Sequence, residues 1–299
     1  MDPSPVWFFK ATELESPITE HALVLVGGND IETYALGSAV FIAAELAITA
    51  KHVVEEFWNR LGAGHRFEGG RPLEGQFSIL AVQYPGASSD PALWRVSFVW
   101  GARFTDIAFL ALTSANNLAE RYAWDSTLKL NLLPPTLGER VVGFGYAASA
   151  VEITEVGQMR LALHPSTTGG MVTAVFPEYR DRGMLKFPCF EINTHFVGGM
   201  SGGPLFNEAG ELCGVICASR DGEPIAYGAT LWPAMGTVIT HQGPGMVCKG
   251  AYPVFEMAQV GILAASGWER IARRIEIESD GGVAGLFPRA STSKRLIQK

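Results

Sequence analysis

A serine sits among very small neighbours in the run Gly198-Gly199-Met200-Ser201-Gly202-Gly203-Pro204-Leu205. Glycine walls allow a carbonyl group to come close to that hydroxyl. The backbone N–H groups of Gly199 and Ser201 can converge on one point and hold a developing oxyanion. The same run also makes an ordinary tight turn, because Gly and Pro dominate turns for backbone reasons alone. Two other segments carry groups that would complement the serine. Ala47-Ile48-Thr49-Ala50-Lys51-His52-Val53 takes an apolar strand into small residues and delivers a histidine to a helix expected over 53–61. Thr105-Asp106-Ile107-Ala108-Phe109-Leu110 places an aspartate at the mouth of an apolar strand. Taken singly, such a histidine serves as a capping or packing residue and such an aspartate as a turn residue.

The order His52, Asp106, Ser201, roughly 50 and 95 residues apart, resembles that of trypsin-like (chymotrypsin-fold) serine peptidases, and so do the local contexts. The match is strongest to the bacterial, disulfide-free branch related to HtrA-like proteases and spans roughly residues 20–240. The resemblance implies an all-β fold of two six-stranded antiparallel β-barrels with a C-terminal helix and a cleft between the barrels. It implies a serine endopeptidase working through an acyl-enzyme, with no cofactor and no metal. A serine hydroxyl needs an adjacent base to take its proton. His52 would be that base and later the acid that protonates the leaving amine. Asp106 would hold the imidazole tautomer, and Gly199 and Ser201 would form the oxyanion hole.

Further expectations follow from the same resemblance. The floor of the P1 pocket comes from His195 and Phe196, and one wall from Ile216, Cys217, Ala218 and Ser219. No acidic residue stands there, which argues against cleavage after Lys or Arg. Phe196 and Ile216 would narrow the pocket toward small or medium uncharged side chains. His195 either reads Glu or Gln or packs at the surface. Cys217 falls near Asp106, where many relatives place a serine. Met200 occupies the position at which animal enzymes carry the Asp that pairs with a newly cleaved N-terminus, so that mode of activation is not expected. The resemblance implies a protein or peptide substrate and a regulated role in signalling or defence with few substrates, the chain being either constitutively active or switched, in the second case by an activating protein partner. A catalytically silent scaffold of the same fold, or a self-processing protease or esterase, remain as alternatives.

The elements that must position these residues read mostly as short strands separated by turn residues. A first unit over 21–115 has apolar runs at 21–27, 33–42, 47–50, 77–84, 93–100 and 106–112 and carries His52 and Asp106. A polar, proline-containing connection over 116–137 leads to a second unit over 138–245. Its runs are 140–146, 157–163, 171–176, 187–193, 205–206, 211–218 and 225–231, and it carries Ser201. Residues 1–20 read as an N-terminal extension. Over 253–277 the apolar residues fall near a helical period, and 290–299 form a polar, basic tail. Gly143-Phe144-Gly145 lacks dinucleotide-fingerprint spacing and reads as close backbone packing inside a strand.

The 299 residues, 47% of them hydrophobic, suffice for a substantial core. A formal net charge of −7 gives no support to general nucleic-acid binding. The remaining histidines are scattered, with no metal-ligand spacing. Of the four cysteines, Cys213 and Cys217 lie four apart on an expected strand, roughly 13 Å between Cα atoms and beyond disulfide range. Burial as small apolar side chains is expected for them. No signal peptide is evident at the start, and no apolar run reaches membrane-spanning length. The expected location is the cytoplasm.

Overall fold

The structure, a computed structural model, describes residues 8–11, 17–28, 32–60, 69–73, 78–84, 90–122, 128–153, 159–239, 251–276 and 283–288. Twelve strands build two closed barrels. The first uses β1 (Ala22–Gly28), β2 (Thr33–Ala43), β3 (Leu46–Ala50), β4 (Ser78–Gln83), β5 (Ala92–Gly101) and β6 (Ile107–Ser114). Antiparallel pairing runs β1-β2-β3-β6-β5-β4 and returns from β4 to β1. The second uses β7 (Arg140–Tyr146), β8 (Pro165–Phe176), β9 (Cys189–Ile192), β10 (Pro204–Phe206), β11 (Leu212–Ser219) and β12 (Ala226–Thr230). Its ring is β7-β8-β9-β12-β11-β10, closing from β10 to β7. Both rings therefore follow one strand order, and closure leaves neither sheet with a free barrel edge.

β1 shows how the barrels meet. All seven of its residues are buried, so the polar/apolar alternation of a half-exposed strand is absent. Side chains still alternate in direction along a strand. Leu23 and Leu25 enter one core cluster with Phe41, Trp94 and Phe109. Ala22, Val24 and Val26 join a different one with Val82, Phe144 and Tyr146, the last two from β7 of the second barrel. One strand thus serves the first core and the inter-barrel interface. Gly143 and Gly145 on β7 fit the close packing expected of them: a Cβ on Gly145 would lie 2.7 Å from Met200 Cα.

The helix expected over 53–61 is α1 (Lys51–Arg60), following directly on β3. Val53, Val54, Phe57 and Trp58 are its buried face. The connection between barrels is more ordered than its polarity suggested. It holds α2 (Asn117–Tyr122), with the Asn116 carboxamide oxygen accepting from Ala119 N–H at 2.9 Å, and a short strand Leu130–Asn131 parallel to β11.

Three expectations need correction. The run at 157–163 is not a barrel strand: Met159–Ala162 pairs with Ala150–Ile153 in a separate two-stranded hairpin. The strand expected at 171–176 starts earlier: residues 165–170 (Pro-Ser-Thr-Thr-Gly-Gly) form the first half of β8, paired on one side with β7 and on the other with Phe8–Ala11. That N-terminal strand makes part of the extension an element of the second barrel. Among the described residues, the helical periodicity over 253–277 yields one short α-helix, α3 (Val254–Gln259), closed by a turn at Gly261, and a single 3-10 turn at Trp268–Arg270. Farther along, Ile271–Glu276 pairs with Val283–Pro288 as an antiparallel hairpin. Val254 and Met257 of α3 pack in the same cluster as Trp232 and Met235 at the end of the second barrel. The tail over 290–299 and Cys248 lie outside the described residues. Among those residues no helix is long and apolar enough to cross a membrane.

Candidate active site

His52 and Asp106 come together because β3 and β6 are neighbours: Ala50 pairs with Ile107, so the next residue of α1 and the residue preceding β6 meet at the barrel rim. His52 Nδ1 lies 2.6 Å from Asp106 Oδ2. Asp106 Oδ1 accepts from the His52 backbone N–H at 2.9 Å, and the Asp106 carbonyl accepts from Lys51 N–H at 3.0 Å. One carboxylate therefore satisfies an N–H at the start of α1, where donors lack helical partners, and fixes the ring. With Nδ1–H donated to the carboxylate, Nε2 is left to accept a proton. Burial acts to lower the His52 pKa, but the Asp106 charge and hydrogen bond, with Glu56 and Glu55 behind them, outweigh it and hold the imidazole above its usual 6.5.

Ser201 reaches the same place from the second barrel. The turn 197–203 is wedged between β2 and β7, with Met200 fully buried in the second core beside Val141, Phe190 and Phe196. Ser38 N–H on β2 donates to the Ser201 carbonyl at 2.8 Å. A methyl group at Gly202 would overlap the Ser38 carbonyl and the Thr49 hydroxyl, and one at Gly203 the Phe144 carbonyl. His52, Ser201, Gly198 and Gly199 line one cavity of about 330 Å³, together with Gly37, Val53, Tyr146 and Ala148.

The peptides that carry the two expected oxyanion donors are each held through their carbonyl. In a planar trans peptide the C=O and the following N–H point in opposite directions. The Gly198 carbonyl is drawn away by Ala148 N–H at 2.6 Å, which turns Gly199 N–H the other way. The Met200 carbonyl accepts from Gly203 N–H at 2.9 Å, which does the same for Ser201 N–H. Gly199 holds φ +90°, a left-handed backbone that suits glycine. A side chain there would also meet the Tyr146 carbonyl, 2.6 Å from an added Cβ.

A sequence model of the trypsin-like peptidase domain matches residues 37–215. The chain belongs to the trypsin-like peptidase domain family. Its structure is similar to that of Deg5, at 14% identity over 73% of this chain and 87% of that one, TM-score 0.48. It is similar also to the protease Anisep from Arthrobacter nicotinovorans, at 17% identity over 74% and 92% of the two chains, TM-score 0.46. The active form of the Rv3671c protease from M. tuberculosis matches at 16% identity over 77% and 87%, TM-score 0.45. No curated protein matches the sequence.

The residues assigned to the P1 pocket of this trypsin-like chain divide. Phe196 and Ile216 are buried in the second barrel core, where both close on the space over Gly143. Both belong to the second-barrel core cluster, whereas Val215 and Cys217 on either side of Ile216 are buried in the other cluster. His195 is half-buried, its Nδ1 3.0 Å from Ser219 Oγ, and Ser219 Oγ also accepts from Phe196 N–H at 3.1 Å. Cys217 does lie by Asp106: both line a second cavity of about 470 Å³, with His52 and Ala218. Its thiol donates to the Tyr227 carbonyl at 3.2 Å. Burial, and then the Asp106 charge, hold it well above the usual thiol range. Cys189 and Cys213 are likewise buried and unbridged.

The sequence reading missed the wall of that second cavity. Residues Gly183–Phe187 contribute it, on a loop pinned by Asp181 Oδ1, which accepts from the N–H groups of Gly183, Met184 and Leu185. Leu185 is buried, and Met184 is left 83% exposed. The signal was present in Asp181-Arg182-Gly183, an Asx-type turn sequence.

Proposed function

We propose that this protein is a serine endopeptidase in which Ser201 is the nucleophile, His52 the general base and acid, and Asp106 the residue that orients His52. The observation that carries this is the His52–Asp106 pair at 2.6 Å sharing a cavity with Ser201 and with two N–H groups turned outward by their own peptides. His52 Nε2 takes the hydroxyl proton as Ser201 Oγ bonds to the substrate carbonyl carbon. The carbonyl π pair moves onto oxygen and is held by Gly199 and Ser201 N–H. Collapse breaks the C–N bond, and the amine leaves with the proton from His52. A water molecule then repeats the sequence on the acyl-enzyme, returning Ser201 and an acid product.

The pinning of both oxyanion peptides supports competence of the chain without an activating partner. Substrates are extended segments of protein or peptide, with the P1 side chain between the 195–199 turn and the strand segment Cys217–Ser219. The polar groups available there are His195 and Ser219, so uncharged or acidic P1 residues fit and cationic ones do not. A P1-varied peptide library tests both parts. Wild type should cleave it and Ser201→Ala should not, with Lys and Arg members at least about tenfold slower than the best uncharged or acidic member. A preference for Lys or Arg would overturn the pocket assignment. Equal cleavage by Ser201→Ala would overturn the function.

A further inference from the structure

The structure assigns a positioning role to Ser38, a residue of the first barrel whose hydroxyl holds the oxyanion-binding turn of the second. Ser38 is completely buried on β2. Its hydroxyl donates to the Gly199 carbonyl at 2.8 Å and accepts from Tyr146 N–H, at the end of β7, at 2.9 Å. Its backbone N–H donates to the Ser201 carbonyl at 2.8 Å, and its own carbonyl accepts from Thr49 Oγ1 at 2.7 Å. One small residue thus ties β7, Gly199 and Ser201 to β2 and, through Thr49, to the strand that leads to His52.

The reason for such a tether lies in Gly199. A glycine at φ +90° has little intrinsic preference for that conformation over others. The peptides before and after it must therefore be held from outside if Gly199 N–H is to stay aimed at the cavity. Ala148 N–H holds the preceding peptide through the Gly198 carbonyl, and Ser38 Oγ holds the following one through the Gly199 carbonyl. Donors fixed before reaction need no reorganisation when charge develops, which is where their effect on rate arises. Without the Ser38 hydroxyl, Gly199 O and Tyr146 N–H would both be unpaired in a buried place, and rotation of the glycine peptides is the readiest relief. Ser38 touches neither substrate nor the reacting atoms. It acts through Gly199.

This inference rests on the peptidase reading above, and the test separates the two. Purified wild type, Ser38→Ala and Ser38→Cys are compared by steady-state cleavage of the best library peptide, by inhibition with a peptide aldehyde matched to it, and by thermal unfolding. The aldehyde forms a tetrahedral adduct whose oxygen occupies the oxyanion position, so it reads that geometry directly. Ser38→Ala should lower kcat by about 10- to 100-fold with KM little changed, and weaken the aldehyde by a similar factor. Ser38→Cys is nearly isosteric with a weaker donor. It should fall between the two in both readouts, and it carries the test if Ser38→Ala does not fold. A folded variant with wild-type kcat and aldehyde affinity overturns the role of Ser38 alone. So does a rate loss that merely follows the folded fraction. A well-folded wild type that cleaves nothing overturns the peptidase reading and this one with it.

Discussion

At the residue scale, the His52 imidazole carries two opposed influences with a definite net sign. Burial disfavours its charged form, and the Asp106 carboxylate, with Glu56 and Glu55 nearby, favours it more strongly. A protonated His52 cannot accept the Ser201 proton, so activity should fall as pH drops through the raised pKa. The acid limb of kcat/KM, which reports the free enzyme, should have its midpoint above 6.5. In Asp106→Asn the raising influence of that carboxylate is gone while burial remains. The limb should then move to lower pH, and kcat should drop by about 10³- to 10⁴-fold. A wild-type midpoint at or below 6.5, or one unmoved in Asp106→Asn, would contradict this account of the pair. His52, Asp106 and Ser201 were singled out in the sequence because His52 follows an apolar run, Asp106 precedes one and Ser201 stands among glycines. Ser38 was not. A serine inside a strand carries no signal of what lies across a barrel interface 161 positions away in sequence.

At the scale of elements, strands with strong apolar runs were legible almost to the residue: the runs at 33–42 and 93–100 are β2 (Thr33–Ala43) and β5 (Ala92–Gly101). Where sequence and structure part, tertiary pairing overrides local pattern. Pro165 to Gly170 is turn-like in composition and extended because β7 and Phe8–Ala11 flank it. The apolar residues beyond Gly261 keep a helical spacing, but the chain there turns and forms a hairpin. The turn bearing Ser201 has a tightly specified backbone. Gly202 has φ +86°, and any side chain on it would overlap Ser38 O and Thr49 Oγ1. Strain at positive φ together with overpacking predicts that Gly202→Ala destabilises the fold by about 2–5 kcal/mol. Urea unfolding would read this as a lowered midpoint at unchanged m value. A midpoint equal to wild type would mean that the turn is not clamped between the barrels as described.

At the scale of the molecule, two barrels of one strand order each bring part of the site. To the proposed site the first contributes His52, Asp106 and Ser38, and the second Ser201, Gly199 and the residues proposed to flank P1. A core cluster that includes Leu23 and Trp94 of one barrel and Leu212 and Val215 of the other crosses the boundary. Both halves of the site are thereby held in fixed relation, and function at the cleft depends on both being folded. The central claim is that this assembly makes Ser201 nucleophilic through His52. The most direct measurement is labelling of the purified protein with a fluorophosphonate probe, with wild type, Ser201→Ala and His52→Ala side by side and the adduct located by peptide mass spectrometry. Labelling confined to wild type, with the added mass on Ser201, is the predicted result. A folded wild type that takes up no probe, or label found equally in either variant, would contradict it.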